Sequence, residues 1–106
     1  MPLRKAFLDR LSTQTSIASQ LASQAWGTTY NFQQQGVTPY YFLDTLTAAV
    51  LLDRSLAKIT NLKVRVVTTG ASQGRTIEDP SGNLIEVALD ANKDSVEKIF
   101  LDVLGR

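Results

Sequence analysis

The side chains that most often carry out catalysis are the ones this sequence omits. It holds no cysteine and no histidine. That excludes disulfide scaffolds, zinc knuckles, thiol nucleophiles and the Ser-His-Asp arrangement together. Carboxylates remain, and a site for Mg²⁺ or Ca²⁺ needs several of them converging with other oxygens. Glu78 and Asp79 are adjacent and Asp90 stands apart, a spacing that gathers no ligand set. No catalytic residue, metal or cofactor is therefore expected. The reading leans away from an enzyme without excluding one, because carboxylate and tyrosine chemistry depends on placement in space.

Three short motifs invite a chemical reading. Gly70-Ala71-Ser72-Gln73-Gly74-Arg75-Thr76 follows a strand-like stretch, but a phosphate-binding P-loop needs four residues between its glycines, then a lysine and a helix. Here three residues and an arginine lead into another strand, so the segment reads as a hairpin loop. Lys63, Arg65 and Arg75 could meet phosphates, yet the net charge of only +1 makes nucleic acid a minority reading. Asp79-Pro80-Ser81-Gly82-Asn83-Leu84-Ile85-Glu86 resembles the D-P-x-G-N-x-x-E segment of the vicinal-oxygen-chelate (glyoxalase-like) family. That resemblance implies a βαβββ module over residues 26–89, with Glu86 as a metal ligand on its last strand. It covers eight residues, no histidine is present to complete such a site, and helices at both ends are foreign to that family.

The most unusual feature is a charge desert. From Leu11 through Leu43, 33 residues pass without a charged side chain, and six of the eight aromatics (Trp26, Tyr30, Phe32, Tyr40, Tyr41, Phe42) fall inside it. Protein interfaces deplete charge and enrich Tyr, Trp and Phe. The first functional reading is thus a non-enzymatic assembly subunit. It would self-associate as a dimer or larger, or dock on another protein, through Trp26, Tyr30, Phe32, Tyr40 and Tyr41. The second is a small-molecule cleft using Trp26, Tyr30 and Tyr40, with Arg65 or Arg75 for an anionic group. A weak nucleic-acid binder comes third.

The elements that must position these residues follow from periodicity. Residues 3–25 predict one amphipathic helix with Phe7, Leu11, Ala18, Leu21 and Ala25 inward, and Ser12, Thr13, Ser16, Ser19, Gln20 and Ser23 outward. Trp26–Phe32 alternates as a strand. Thr38-Pro39 predicts the start of a central helix running to about Ile59. Its stripe is Phe42, Leu46, Ala49, Leu52, Leu56 and Ile59, broadened by Leu43, Val50 and Leu51. Leu62–Thr68 predicts a strand pairing in parallel with Trp26–Phe32 through a right-handed crossover. Arg75–Glu78 and Leu84–Asp90 predict a hairpin about Asp79–Asn83, with Gly82 left-handed and Ile85, Val87 and Leu89 inward. The last helix is capped by Asp90 or Asn92, buries Val96, Ile99, Phe100 and Val103, and stops at Gly105.

The expected fold is α+β, a single domain over residues 1–106 in the order α-β-α-β-β-β-α. About four mostly antiparallel strands would form the sheet, with helices packed on it. A hydrophobic content of 43% with six glycines and three prolines fits a globular chain. The longest apolar run, Ala48–Leu52, is too short for a bilayer. Asp9 and Arg10 interrupt any secretory core behind Arg4 and Lys5, so the expected setting is the cytoplasm, with no membrane partner.

Overall fold

The computed structural model describes residues 1–36 and 40–106. Among them are four α-helices, α1 (Lys5–Ser12), α2 (Ile17–Gln34), α3 (Asp44–Leu52) and α4 (Lys93–Leu104), and three strands, β1 (Ala57–Val66), β2 (Thr76–Glu78) and β3 (Asn83–Ala91). The α+β class expected from the sequence holds, with a three-stranded antiparallel sheet instead of about four strands. The chain divides into two compact units: Met1–Leu56 with Ala91–Arg106, and Ala57–Asp90.

In the first, helical unit, the expected long helix of residues 3–25 is two helices. Thr13 and Gln14 donate their backbone N–H to Arg10 and Leu11 carbonyls and end α1. Ser16 then caps α2, its Oγ accepting from Ser19 N at 3.0 Å. The break resets the helical phase. Leu21, Ala18 and Ala25, expected inward, are exposed, while Ser19, expected outward, is fully buried.

The strand expected at Trp26–Phe32 is helix. Aromatic and β-branched residues have modest helix propensity, but tertiary packing overrides propensity. Ala22, Trp26 and Tyr30, four apart, all lie against the cluster of Leu3, Phe7, Leu8, Leu11, Phe42 and Leu101. Thr28 and Thr29 close their hydroxyls onto the Gln24 and Ala25 carbonyls at 3.0 and 3.1 Å, a bond that lets threonine sit on an exposed helical face. With no strand there, the parallel crossover and the βαβββ module both fall.

The helix start expected at Thr38-Pro39 lies outside the described residues. Tyr40–Phe42 instead runs extended against the N-terminal segment, with Phe42 N donating to Met1 O at 2.8 Å, Leu3 N to Tyr40 O at 3.2 Å, and Pro2 bridging Tyr41. The α3 helix begins only at Asp44, whose carboxylate in the first turn suits the helix dipole. It stops at Asp53, not Ile59, because Asp53 Oδ1 accepts from Ser55 N and Oγ at 2.9 and 2.7 Å. That local turn competes with another helical turn. A short 3₁₀ turn, Arg54–Leu56, follows. Asn92 caps α4, accepting from Ser95 N at 3.1 Å, and Gly105 ends it.

In the second, sheet unit, β1 lies in the middle of the order β2-β1-β3. The register pairs Val64 with Glu78, Arg65 with Ile77 and Val66 with Thr76. The hairpin is therefore β1–β2 through residues 67–75, not β2–β3. Gly70 and Gly74 take φ of 81° and 88° in that loop, where an L side chain would be strained. The segment that could be mistaken for a P-loop is the hairpin connection. Asp79 organises the turn into β3: Oδ1 accepts from Ser81 N and Oγ at 2.8 and 2.6 Å, and Oδ2 from Arg65 Nε at 2.6 Å. Gly82 does not have the expected positive φ. Glycine is needed there because a Cβ would stand 2.4 Å from the Val64 carbonyl oxygen. Leu62 and Val64 are half-buried while Lys63 and Arg65 are exposed, as the alternation requires, but Ile85 and Leu89, expected inward, are exposed.

Candidate functional site

The aromatic residues expected to form a docking patch are split by the fold. Trp26 packs inside the helical unit, its ring 5.6 Å from Phe7, 5.0 Å from Phe42 and 6.0 Å from Phe100. Tyr30 lies half-buried on the same cluster. Tyr40 is partly exposed and stands edge-on to Phe42 at 5.9 Å. Trp26 and Tyr40 thus meet through Phe42 and do not wall a cleft. Phe32 and Tyr41 face outward. Arg65 and Arg75 belong to the sheet unit, where Arg65 is engaged by Asp79 and Arg75 is exposed beside the hairpin loop. Glu86, the metal ligand implied by the family resemblance, is exposed on β3. Among the described residues no group of three His, Cys, Asp or Glu could hold a metal ion.

The neutral polar residues of the charge desert have structural work inside the helical unit. Gln14 Nε2 donates to Leu101 O at 2.9 Å, Ser19 Oγ donates to Gln14 Oε1 at 2.6 Å, and Ser16 Oγ donates to Leu104 O. The last carbonyls of a helix have no partner within it. Here Gln14 and the α2 cap Ser16 donate to two of them, the Leu101 and Leu104 carbonyls of α4. Ser19 is buried and Gln14 and Ser16 are half-buried, so a charge at these three positions would cost more than a hydroxyl or an amide.

One charge is buried in the helical unit, and it is fully matched. Glu97 lies on the inner side of α4, its two carboxylate oxygens taken by Arg4 Nε at 2.7 Å and Nη2 at 2.6 Å. The same Nη2 reaches the exposed Asp94 at 2.6 Å. These bonds push the Arg4 guanidinium further up from its ordinary value and hold Asp94 below the usual carboxylate range. The arrangement locks the chain start onto α4.

What remains open is the surface of α3. The sequence makes this helix apolar almost all round, which predicted a central, buried element. Of its nine residues only Ala49 is buried, and Leu51 and Leu52 are 84% and 75% exposed. On one side Thr47, Val50, Leu51 and Arg54 surround an open hollow of about 260 Å³. On the other, Ala48 and Leu52 face Ile99, Val103 and Leu104 of α4 across a wholly apolar groove of about 90 Å³. Val103, expected to be buried, is 46% exposed along that groove. Leu52, expected on the inward stripe, and Leu51, expected to broaden it, are the positions the structure leaves open. Among the described residues no helix is long and apolar enough to cross a membrane.

Comparison with solved structures bears on the first of these readings. An inosine-uridine preferring nucleoside hydrolase from Bacillus anthracis superposes with a TM-score of 0.82 at 28% identity over 99% of this chain. The chain is similar to a third of a nucleoside hydrolase. The match spans 33% of the Bacillus anthracis protein's length. A plant nucleoside hydrolase shares the fold with a TM-score of 0.74 at 19% identity, over 94% of this chain and 36% of its own. No family model and no curated protein matches the sequence. The likeness overturns the reading as a non-enzymatic, self-associating assembly subunit. Of the residues expected to dock, Trp26 and Tyr30 pack on the helical cluster, while Phe32, Tyr40 and Tyr41 keep exposed surface.

Proposed function

We propose that this chain is one third of a nucleoside-hydrolase-type enzyme body, and that the assembled body cleaves nucleosides of the inosine and uridine kind with water. The reaction adds water across the bond between base and sugar. The base leaves with the proton and the sugar keeps the hydroxyl. The observation that supports this reading is the superposition on the Bacillus anthracis enzyme over 99% of the chain. At 28% identity it is a likeness of sequence as well as of shape. The chain spans only a third of that enzyme, so the activity is assigned to the assembled body and not to these 106 residues alone.

A chimera tests the reading. In the Bacillus anthracis enzyme the matching third is replaced by this chain, and ribose release from inosine and uridine is followed. Measurable turnover of either nucleoside above that of the enzyme lacking its third supports the proposal. A folded chimera that neither binds nor cleaves either nucleoside overturns it.

A further inference from the structure

The open face of α3 calls for an occupant. Leu51 and Leu52 stand clear of the helical unit, and the groove beside them is lined by apolar side chains of α3 and α4 alone. Between Asp44 and Asp53 there is no charged residue on α3. Scattered exposed leucines are ordinary, but an uncharged helix flank continuous with an apolar groove is what a buried seam looks like when its partner is missing. This surface is separate from the aromatic segment of residues 11–43 and owes nothing to it.

The comparison indicates what fills the seam. In the Bacillus anthracis protein the stretch equivalent to this whole chain is a third of a longer polypeptide, so the other two thirds are present in that body and this third is not a free-standing object there. We propose that the α3–α4 face, centred on Leu51, Leu52, Ile99 and Val103, is the surface on which the remaining two thirds of a nucleoside-hydrolase body pack, and not a site for a second copy of this chain. The inference rests on the nucleoside-hydrolase reading for the nature of the occupant. It adds where that occupant sits: an apolar ridge enters the groove between α3 and α4, and Leu51 and Leu52 enter the partner. Burying two leucines that are otherwise in water is worth roughly a hundredfold or more in association.

Fragment complementation provides the test. The two thirds of the Bacillus anthracis enzyme that this chain does not match are prepared as one polypeptide. That enzyme's own third serves as the positive control for capture. This chain should be captured at micromolar concentration. The pair Leu51→Gln with Leu52→Gln should weaken capture about a hundredfold at unchanged helical circular dichroism, whereas Leu51→Met with Leu52→Met should keep it within a few fold. Capture that ignores the glutamine pair, or control capture without capture of this chain, overturns the seam. So does a dimer of this chain that the glutamine pair dissolves. Failure of the reading itself looks different: a complex that assembles through α3 yet binds no nucleoside would sink the proposed activity and leave the seam standing.

Discussion

The helical unit and the sheet unit treat their apolar residues in opposite ways. In the first, Phe7, Leu11, Phe42 and Val96 have no exposed surface, the buried Glu97 carboxylate is held by the half-exposed Arg4, and a serine–glutamine network is satisfied beside them. In the second, Val66, Leu84, Ile85 and Leu89 are 46–64% exposed, and among the described residues every buried apolar side chain lies in the helical unit. One is held by side-chain packing, the other by its backbone ladder, the Asp79 turn and the close approach of Gly82 to Val64. A three-stranded sheet is near the lower limit of what stands alone in water. The contrast teaches that stability and unfinished surface are distributed unevenly along this chain, and substitutions can probe each separately.

The largest effect is expected at Phe42. It touches Phe7, Trp26 and Tyr40 and is fully buried, so Phe42→Ala should cost about 3–5 kcal/mol in urea unfolding. Leu84→Ala, on the exposed sheet, should cost under ~1 kcal/mol. Equal losses at the two sites would break the comparison. Next comes Gly82→Ala. The added methyl meets backbone that cannot rotate away, and overpacking of this kind costs roughly 1–3 kcal/mol. Hydrogen exchange should then quicken at Val64 and Asp79 with little change at Leu11 and Phe42. Uniform quickening would mean that the two units melt together.

Ser16→Ala should cost about 1 kcal/mol, the usual loss at a helix cap. It also deprives Leu104 of a donor, so fraying should show in the amide resonances at both the start of α2 and the end of α4. The smallest effect belongs to Asp79. Ser81 first, and Arg65 second, hold its carboxyl down to about 2. A carboxylate lowered in the folded state stabilises fully above its ordinary value of about 4, and that contribution fades as pH falls toward 2. The wild-type melting temperature should therefore fall between pH 4 and pH 2 by slightly more than that of Asp79→Asn. Parallel curves would show that the turn is not held by this charge.

Much of the sheet unit was legible in the sequence, because its determinants are local. Alternation placed a strand at Leu62–Thr68, overlapping the second half of β1 but missing its start at Ala57; Asp79-Pro80-Ser81-Gly82 marked a turn, and the Gly70–Gly74 loop read as a hairpin. The errors there concerned partners in space: β2 pairs back on β1, and Gly82 is required by a neighbouring carbonyl and not by its own dihedral. The helical unit was less legible. The pattern Trp26-Thr28-Tyr30-Phe32 has a period of two, and only the packing of Ala22, Trp26 and Tyr30 on Phe7 and Phe42 makes it a helix. Ser19 looked like a solvated residue because its acceptor, Gln14, sits across the interruption between α1 and α2 that periodicity did not reveal. The charge desert, read as a surface waiting for a second protein, divides between buried positions such as Leu11, Ser19 and Phe42 and exposed ones such as Ile17, Leu21 and Leu43. The open flank of α3 was missed, since an all-round apolar helix reads as a buried one.

Asn92 N donates to Leu56 O at 2.8 Å. The last residue before the sheet unit and the first helix cap after it are thereby pinned at one point, like the two posts of a doorway. Everything between them is an excursion that leaves and returns through the same gap. The sheet is a replaceable cassette: joining Leu56 to Asn92 by a short glycine-rich turn should yield a four-helix remnant. Its helical circular dichroism and cooperative melting should persist, while loss of cooperative melting would show that the doorway cannot close without its hairpin.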